Sequence, residues 1–209
     1  MRGRRGLFYL AFYTILVIGA GYAGWYLWTV SSAMNRVENV AMGQFIGPAD
    51  AEKTIIEFID YRCPYCHQLE PVMKEVLRRH PDLRIIYRHY PVFGKASVID
   101  AGVALAAGMQ GKFEEAHDMM MAAQRSEILT DAEIEAMAVE LGLDMRKFQI
   151  DRKGPEIGVL LLDTMDIADA LGIRATPTFV VGDIIYSMKE GDVNADSFDK
   201  VIAEAYGTK

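Results

Sequence analysis

The sequence predicts an α/β fold: a mixed sheet covered by helices on both faces and interrupted by an inserted helical domain, all preceded by one N-terminal transmembrane helix. Three observations carry this expectation. Leu7–Val30 is a run of 24 residues without a charge, with Arg2, Arg4 and Arg5 before it. Beyond residue 44, short β-branched runs alternate with segments of helical periodicity. The only two cysteines, Cys63 and Cys66, stand where one such run meets a helix.

As a helix the uncharged run would reach about 36 Å, enough to cross a hydrocarbon core of about 30 Å with some tilt. The arginines lie before it and the acidic residues after it, so residues 1–6 are expected in the cytoplasm and the domain outside. Phe8 and Tyr9 at one end, with Trp25, Tyr26 and Trp28 at the other, suit interfacial aromatic belts. A cleaved signal peptide ending at Ser31-Ser32-Ala33 is the rival, although its apolar region would exceed the usual 7–15 residues. Residues 31–43 read as a short polar linker and residues 44–209 as the domain. That remainder is long enough for a core without disulfide staples. Past residue 33 the chain has 19 basic and 29 acidic groups, a formal charge of −10. Such a surface does not attract nucleic acid.

Within the domain, Thr54–Asp60 is apolar and β-branched, a strand buried on both faces. After Cys63-Pro64-Tyr65-Cys66, the positions Leu69, Val72, Met73, Val76 and Leu77 have helical spacing, ending near His80-Pro81. Pro71 is expected to kink this helix. Leu83–Arg88 is a second strand, and about residues 95–154 form a helical insertion in which Thr130 and Glu133 have capping-box spacing. A helix then opens on Pro155 and stops before Gly172. Thr178–Val181 and Ile184–Tyr186, separated by Gly182-Asp183, read as a hairpin. The last helix, about 195–206, has Phe198, Val201, Ile202 and Ala205 on one face.

Cysteines two residues apart at a strand-to-helix junction have a specific chemistry. Unpaired N–H groups and the helix dipole favour the thiolate of the first, Cys63. Cys66, one turn in, can reach the same sulfur and resolve a mixed disulfide. Pro64 fits the first turn, where its missing N–H costs little. Three other readings stand beside this one. They are a structural disulfide, a zinc site for which two further ligands would be needed, and c-type haem attachment, since Cys63-x-x-Cys66-His67 satisfies that pattern.

Glu57, alone among Ile55, Ile56, Phe58 and Ile59, is expected to be buried with its carboxyl pushed up, unless it is ion-paired or at an edge. Thr176-Pro177-Thr178 precedes the third strand. Together with the Cys63–Cys66 pair, Pro71 and the helical insertion, these residues resemble the DsbA-like thiol–disulfide oxidoreductases of the thioredoxin fold, over about residues 44–207. The resemblance implies that Glu57 is the buried acid beneath the redox pair. It also implies that Thr176 and Pro177 form a cis-proline turn facing the cysteines, which contacts substrate together with Pro64 and Tyr65. The Pro-Tyr dipeptide differs from the Pro-His of the strongest oxidant of that family, so the same poise does not carry over.

The function so implied is thiol–disulfide exchange with cysteine-containing exported proteins, most simply as an oxidase. The alternatives are an isomerase or reductase kept reduced by a membrane donor, and, in a different class, a haem electron carrier. The resemblance implies no cofactor beyond the redox-active disulfide, and no metal. It implies a DsbB-like or DsbD-like membrane redox partner and a single-pass protein of the bacterial cytoplasmic membrane, facing the periplasm or cell exterior. His67 could modulate the thiolate, His89 reads as structural, and Phe93-Gly94 as part of an apolar substrate surface. Met119-Met120-Met121 reads as core.

Overall fold

A computed structural model of the chain describes the backbone of residues 3–39, 43–123, 127–187 and 194–207, with side chains from residue 13 onward. Its centre is β2 (Lys53–Ile59), whose β-branched and aromatic residues are buried from Thr54 to Ile59. It pairs in parallel with β3 (Leu83–His89) and antiparallel with β4 (Thr178–Val181). β5 (Ile184–Ser187) closes one edge through the hairpin turn at Gly182, whose φ of 55° suits glycine. The other edge is β1 (Phe45–Ile46), giving the order β1-β3-β2-β4-β5.

Strand alternation divides the core in two. Ile55, Ile59, Ile85, Tyr87, Phe179 and Val181 pack toward α2 (Pro64–Arg79) and α8 (Ala195–Tyr206), in the cluster that holds both cysteines. Ile56, Phe58, Ile86 and Val180 pack on the opposite face, against α1 (Gly3–Val37) and α7 (Pro155–Ala170). Phe58, Phe179 and Phe198 are wholly buried, each stabilising the fold by about 2–3 kcal/mol through burial. α2 runs on through Pro71 without interruption. Between β3 and α7 lies the insertion: α3 (Lys95–Gly108), α4 (Phe113–Ala122), α5 (Asp131–Glu140) and α6 (Met145–Asp151). α3 is buried from Asp100 to Gly108, which its alanine and glycine content permits. The Thr130–Glu133 capping box opens α5.

The N-terminal region departs from a polar tether over residues 31–43. α1 continues to Val37, and Ala33 and Val37 are buried against the sheet and α7. The cause is tertiary. Arg88, wholly buried on β3, donates from Nε to the Val37 carbonyl at 3.0 Å, from Nη2 to those of Arg36 and Asn39, and from Nη1 to Asp163 at 3.0 Å. Arg36 donates to the same carboxylate at 2.6 Å. A buried guanidinium thus donates to carbonyls at a helix C-terminus, where intrahelical donors run out; the Arg36 carbonyl also accepts from the Asn39 N–H at 3.0 Å. Farther back, Ile15, Val17, Ile18, Trp25 and Leu27 are more than half exposed. Among the described residues no helix is long and apolar enough to cross a membrane. The side chains of residues 7–12, part of the expected span, lie outside the described ones.

Candidate active site

The site grows out of the C-terminal end of β2. Asp60 Oδ1 accepts from the Arg62 N–H at 2.8 Å, and Oδ2 accepts from those of Val92 and Phe93 at 2.8 and 3.2 Å. One carboxylate therefore holds both the redox turn and the loop after β3. Arg62 forms a buried ion pair with Asp100 of α3, anchoring the turn to the insertion. The Cys63 N–H donates to the Asp60 carbonyl at 2.9 Å, and Cys63 becomes the N-cap of α2 with Pro64 in the first turn. Pro64 and Tyr65 are exposed, Tyr65 to 66%.

Both cysteines are free thiols. The hydrogen bond from Cys66 contributes most to bringing the Cys63 thiol down to about 6, overcoming the opposing effect of burial. The N–H groups of Cys66 and Tyr65 add to it. Cys66, 1% exposed, is pushed up, by burial first and then by its hydrogen bond to Cys63 and the nearby Glu57 charge. The two sulfurs thus have opposite roles: Cys63 holds the thiolate, and Cys66 holds the proton.

The structure brings the other sequence-predicted residues to the same place. Cys63 Sγ lies 3.2 Å from the Thr176 carbonyl oxygen, and the Thr176–Pro177 peptide is cis. Glu57 is 2% exposed in the central strand, and its Oε2 has no hydrogen-bond partner among the described residues. Burial, then the charges of Glu70 and Cys63, push its carboxyl well above the usual range. A group that holds its proton more tightly when folded stabilises the fold fully only below its unfolded value, and that contribution is lost as the pH rises toward the folded one. Glu57→Gln, which mimics the protonated acid, is therefore expected to raise stability at pH 8 by about 1 kcal/mol or more and to leave pH 4 nearly unchanged. Urea midpoints at the two pH values check this.

His67 has both ring nitrogens committed, Nε2 at 2.8 Å from the Tyr61 carbonyl and Nδ1 at 2.8 Å from that of Met121. With Cys66 buried as well, the haem reading loses its axial ligand and one of its attachment points. Sequence reasoning missed Asp60, Tyr61, Arg62, Glu70, Asp100 and His117. An Asp at a strand end is a turn signal that could have found Asp60. The other contacts join distant elements and leave no local trace.

A family model described as Thioredoxin matches residues 39–204. The chain belongs to the thioredoxin family. Among solved structures it is similar to a thioredoxin-like oxidoreductase from Silicibacter pomeroyi DSS-3, 28% identical with a TM-score of 0.73 over 84% of this chain and 98% of that one. It shares its fold with the thiol-disulfide exchange protein alpha-DsbA2 from Wolbachia pipientis, 19% identical with a TM-score of 0.73 over 88% and 97% of the two chains. Its fold is the DsbA-like thioredoxin fold. A curated relative, a Na(+)/H(+) antiporter NhaA 1 of Salinispora arenicola, is 33% identical over 78% of this chain but only 25% of its own length. The chain spans about a quarter of the curated relatives it matches.

Proposed function

We propose that the protein is an oxidase that introduces disulfides into exported, cysteine-containing proteins outside the cytoplasm. The observation that carries this reading is the asymmetry of the pair: a Cys63 thiol brought down to about 6 at a helix N-terminus, above a buried Cys66 that is pushed up. Stabilising the thiolate stabilises the dithiol form, and a pair whose dithiol form is favoured is a strong acceptor of electrons. A substrate thiolate attacks Cys63 Sγ of the enzyme disulfide, forming a mixed disulfide and releasing Cys66 as a thiolate. Glu57, which holds its proton, is placed to protonate that sulfur. A second substrate thiolate then attacks the substrate sulfur of the mixed disulfide. The substrate leaves with its new disulfide, and the enzyme keeps two electrons as the Cys63 thiolate and Cys66 thiol.

Thr176 and Pro177, beside the Cys63 sulfur, and the exposed Pro64 and Tyr65 form the surface against which the substrate chain lies. The pair needs no cofactor beyond its own disulfide. The electrons pass to a DsbB-like membrane partner, and the N-terminal segment, with three arginines before a long uncharged run, holds the domain at the bacterial cytoplasmic membrane, facing the periplasm or cell exterior. Thiol trapping in living cells tests the direction: most of the protein is expected as the disulfide. A dithiol majority would instead make it a reductase or isomerase fed by a DsbD-like donor. Iodoacetamide reacts with thiolates, so Cys63 alkylation is expected to rise through a midpoint of about 6, well below the free value of about 8.5. A midpoint at the free value would remove the basis of the reading.

A further inference from the structure

Three of the chain's four histidines converge on Tyr61, two residues before Cys63. His117 of α4 places Nδ1 at 3.1 Å from the phenol oxygen, and His89 of β3 places Nε2 at 3.2 Å from it. His67 of α2 holds the Tyr61 carbonyl. The far side of His117 is engaged as well, Nε2 lying 3.1 Å from Glu70 Oε2. An ionised carboxylate only accepts, so this nitrogen carries the hydrogen. Tyr61, His89 and His117 are each at most 3% exposed. Their rings pack with centroids 5.3 Å apart for Tyr61–His89 and 5.6 Å for Tyr61–His117. Packing alone would be served by an apolar ring. Burying a phenol between two imidazoles is costly unless the bonds are made, and once made they fix the ring's direction.

We propose that Tyr61 is a positioning residue of the redox centre, whose phenol, clamped between two buried imidazoles, fixes the turn that sets Cys63 at the N-terminus of α2 and thereby favours the dithiol form. The inference rests on thiol–disulfide exchange by Cys63 and Cys66. Its physical basis is that the N–H groups of Tyr65 and Cys66 stabilise the Cys63 thiolate only while the turn holds the sulfur in line with them. Hydrogen bonds weaken steeply with misalignment.

The test is Tyr61→Phe in the full chain, which keeps the ring and removes the hydroxyl. The expected result is an upward shift of the Cys63 alkylation midpoint and a displacement of the equilibrium with glutathione by about fivefold toward the enzyme disulfide, the scale of one lost hydrogen bond. A folded Tyr61→Phe protein with an unmoved midpoint and equilibrium overturns the proposal while leaving the redox reading intact. The unsubstituted protein gives a second measurement, free of any folding defect. The imidazole nitrogen resonances of His89 and His117 are expected to shift between the dithiol and disulfide forms, and identical spectra would also overturn it. If the unsubstituted protein does not exchange with glutathione at all, the redox reading falls first, and this proposal with it.

Discussion

Cys66→Ser protein, incubated with glutathione disulfide, is expected to stop at the mixed disulfide between Cys63 and glutathione, the adduct accumulating to nearly one per protein. The Cys63 thiolate attacks the glutathione disulfide, one S–S bond forms as another breaks, and one glutathione thiolate leaves. In the unsubstituted protein Cys66, whose thiol donates to Cys63, then attacks the Cys63 sulfur and releases the second glutathione. A serine hydroxyl cannot do this. A thiol peptide added afterwards should exchange onto Cys63 and be trapped there, and Cys63→Ser should return exchange to the protein-free rate. Mass spectrometry of the intact chain reads all three outcomes. A Cys66→Ser protein that carries no adduct while remaining folded would show that Cys63 is not the attacking sulfur.

The residues of that reaction were legible in the sequence because each lies in a local pattern. Cys63 and Cys66 follow a β-branched run and begin a helix, and Glu57 interrupts an apolar strand, whereas the turn at Pro177 was implied by the family resemblance alone. The hairpin at Gly182 and the capping box at Thr130 are equally local, and both are present. β1 was not legible: two residues, Phe45 and Ile46, become a strand only by pairing with Ile86 and Ile85. α6 was absorbed into a longer helical stretch because its seven residues carry one buried side chain, Phe148. The supports of the redox turn escaped for a different reason. Arg62 and Asp100 are 38 positions apart, and Tyr61 and His117 are 56 apart. No periodicity links such pairs, and a buried Arg or His looks the same in sequence as an exposed one.

Arg88→Met is expected to lower stability by about 3 kcal/mol or more, the scale of breaking a buried charged contact by removing one partner. The melting temperature should fall by roughly 10 °C for a chain of this size. Methionine fills much of the same space but donates nothing. The carbonyls of Val37 and Asn39 would lose the Arg88 donor, the Arg36 carbonyl would keep the Asn39 N–H, and among the described residues Asp163 would keep Arg36, whose side chain is 43% exposed. Opening should therefore concentrate at the end of α1, and amide exchange there should accelerate more than in β2. The Cys63 alkylation midpoint should stay where it is. Arg88 and His89 are consecutive on β3 and face opposite sides of the sheet, His89 toward Tyr61 and Arg88 toward α1. Alternation along the strand thus lets two adjacent residues tie the N-terminal helix to one face and the redox turn to the other. Loosening the first should leave the second intact because β3 is held along its whole length by β2. A destabilisation below about 1 kcal/mol, ordinary for a surface substitution, would mean that the cap contributes little to docking. A Cys63 midpoint that moved with it would mean that the two faces of β3 are coupled.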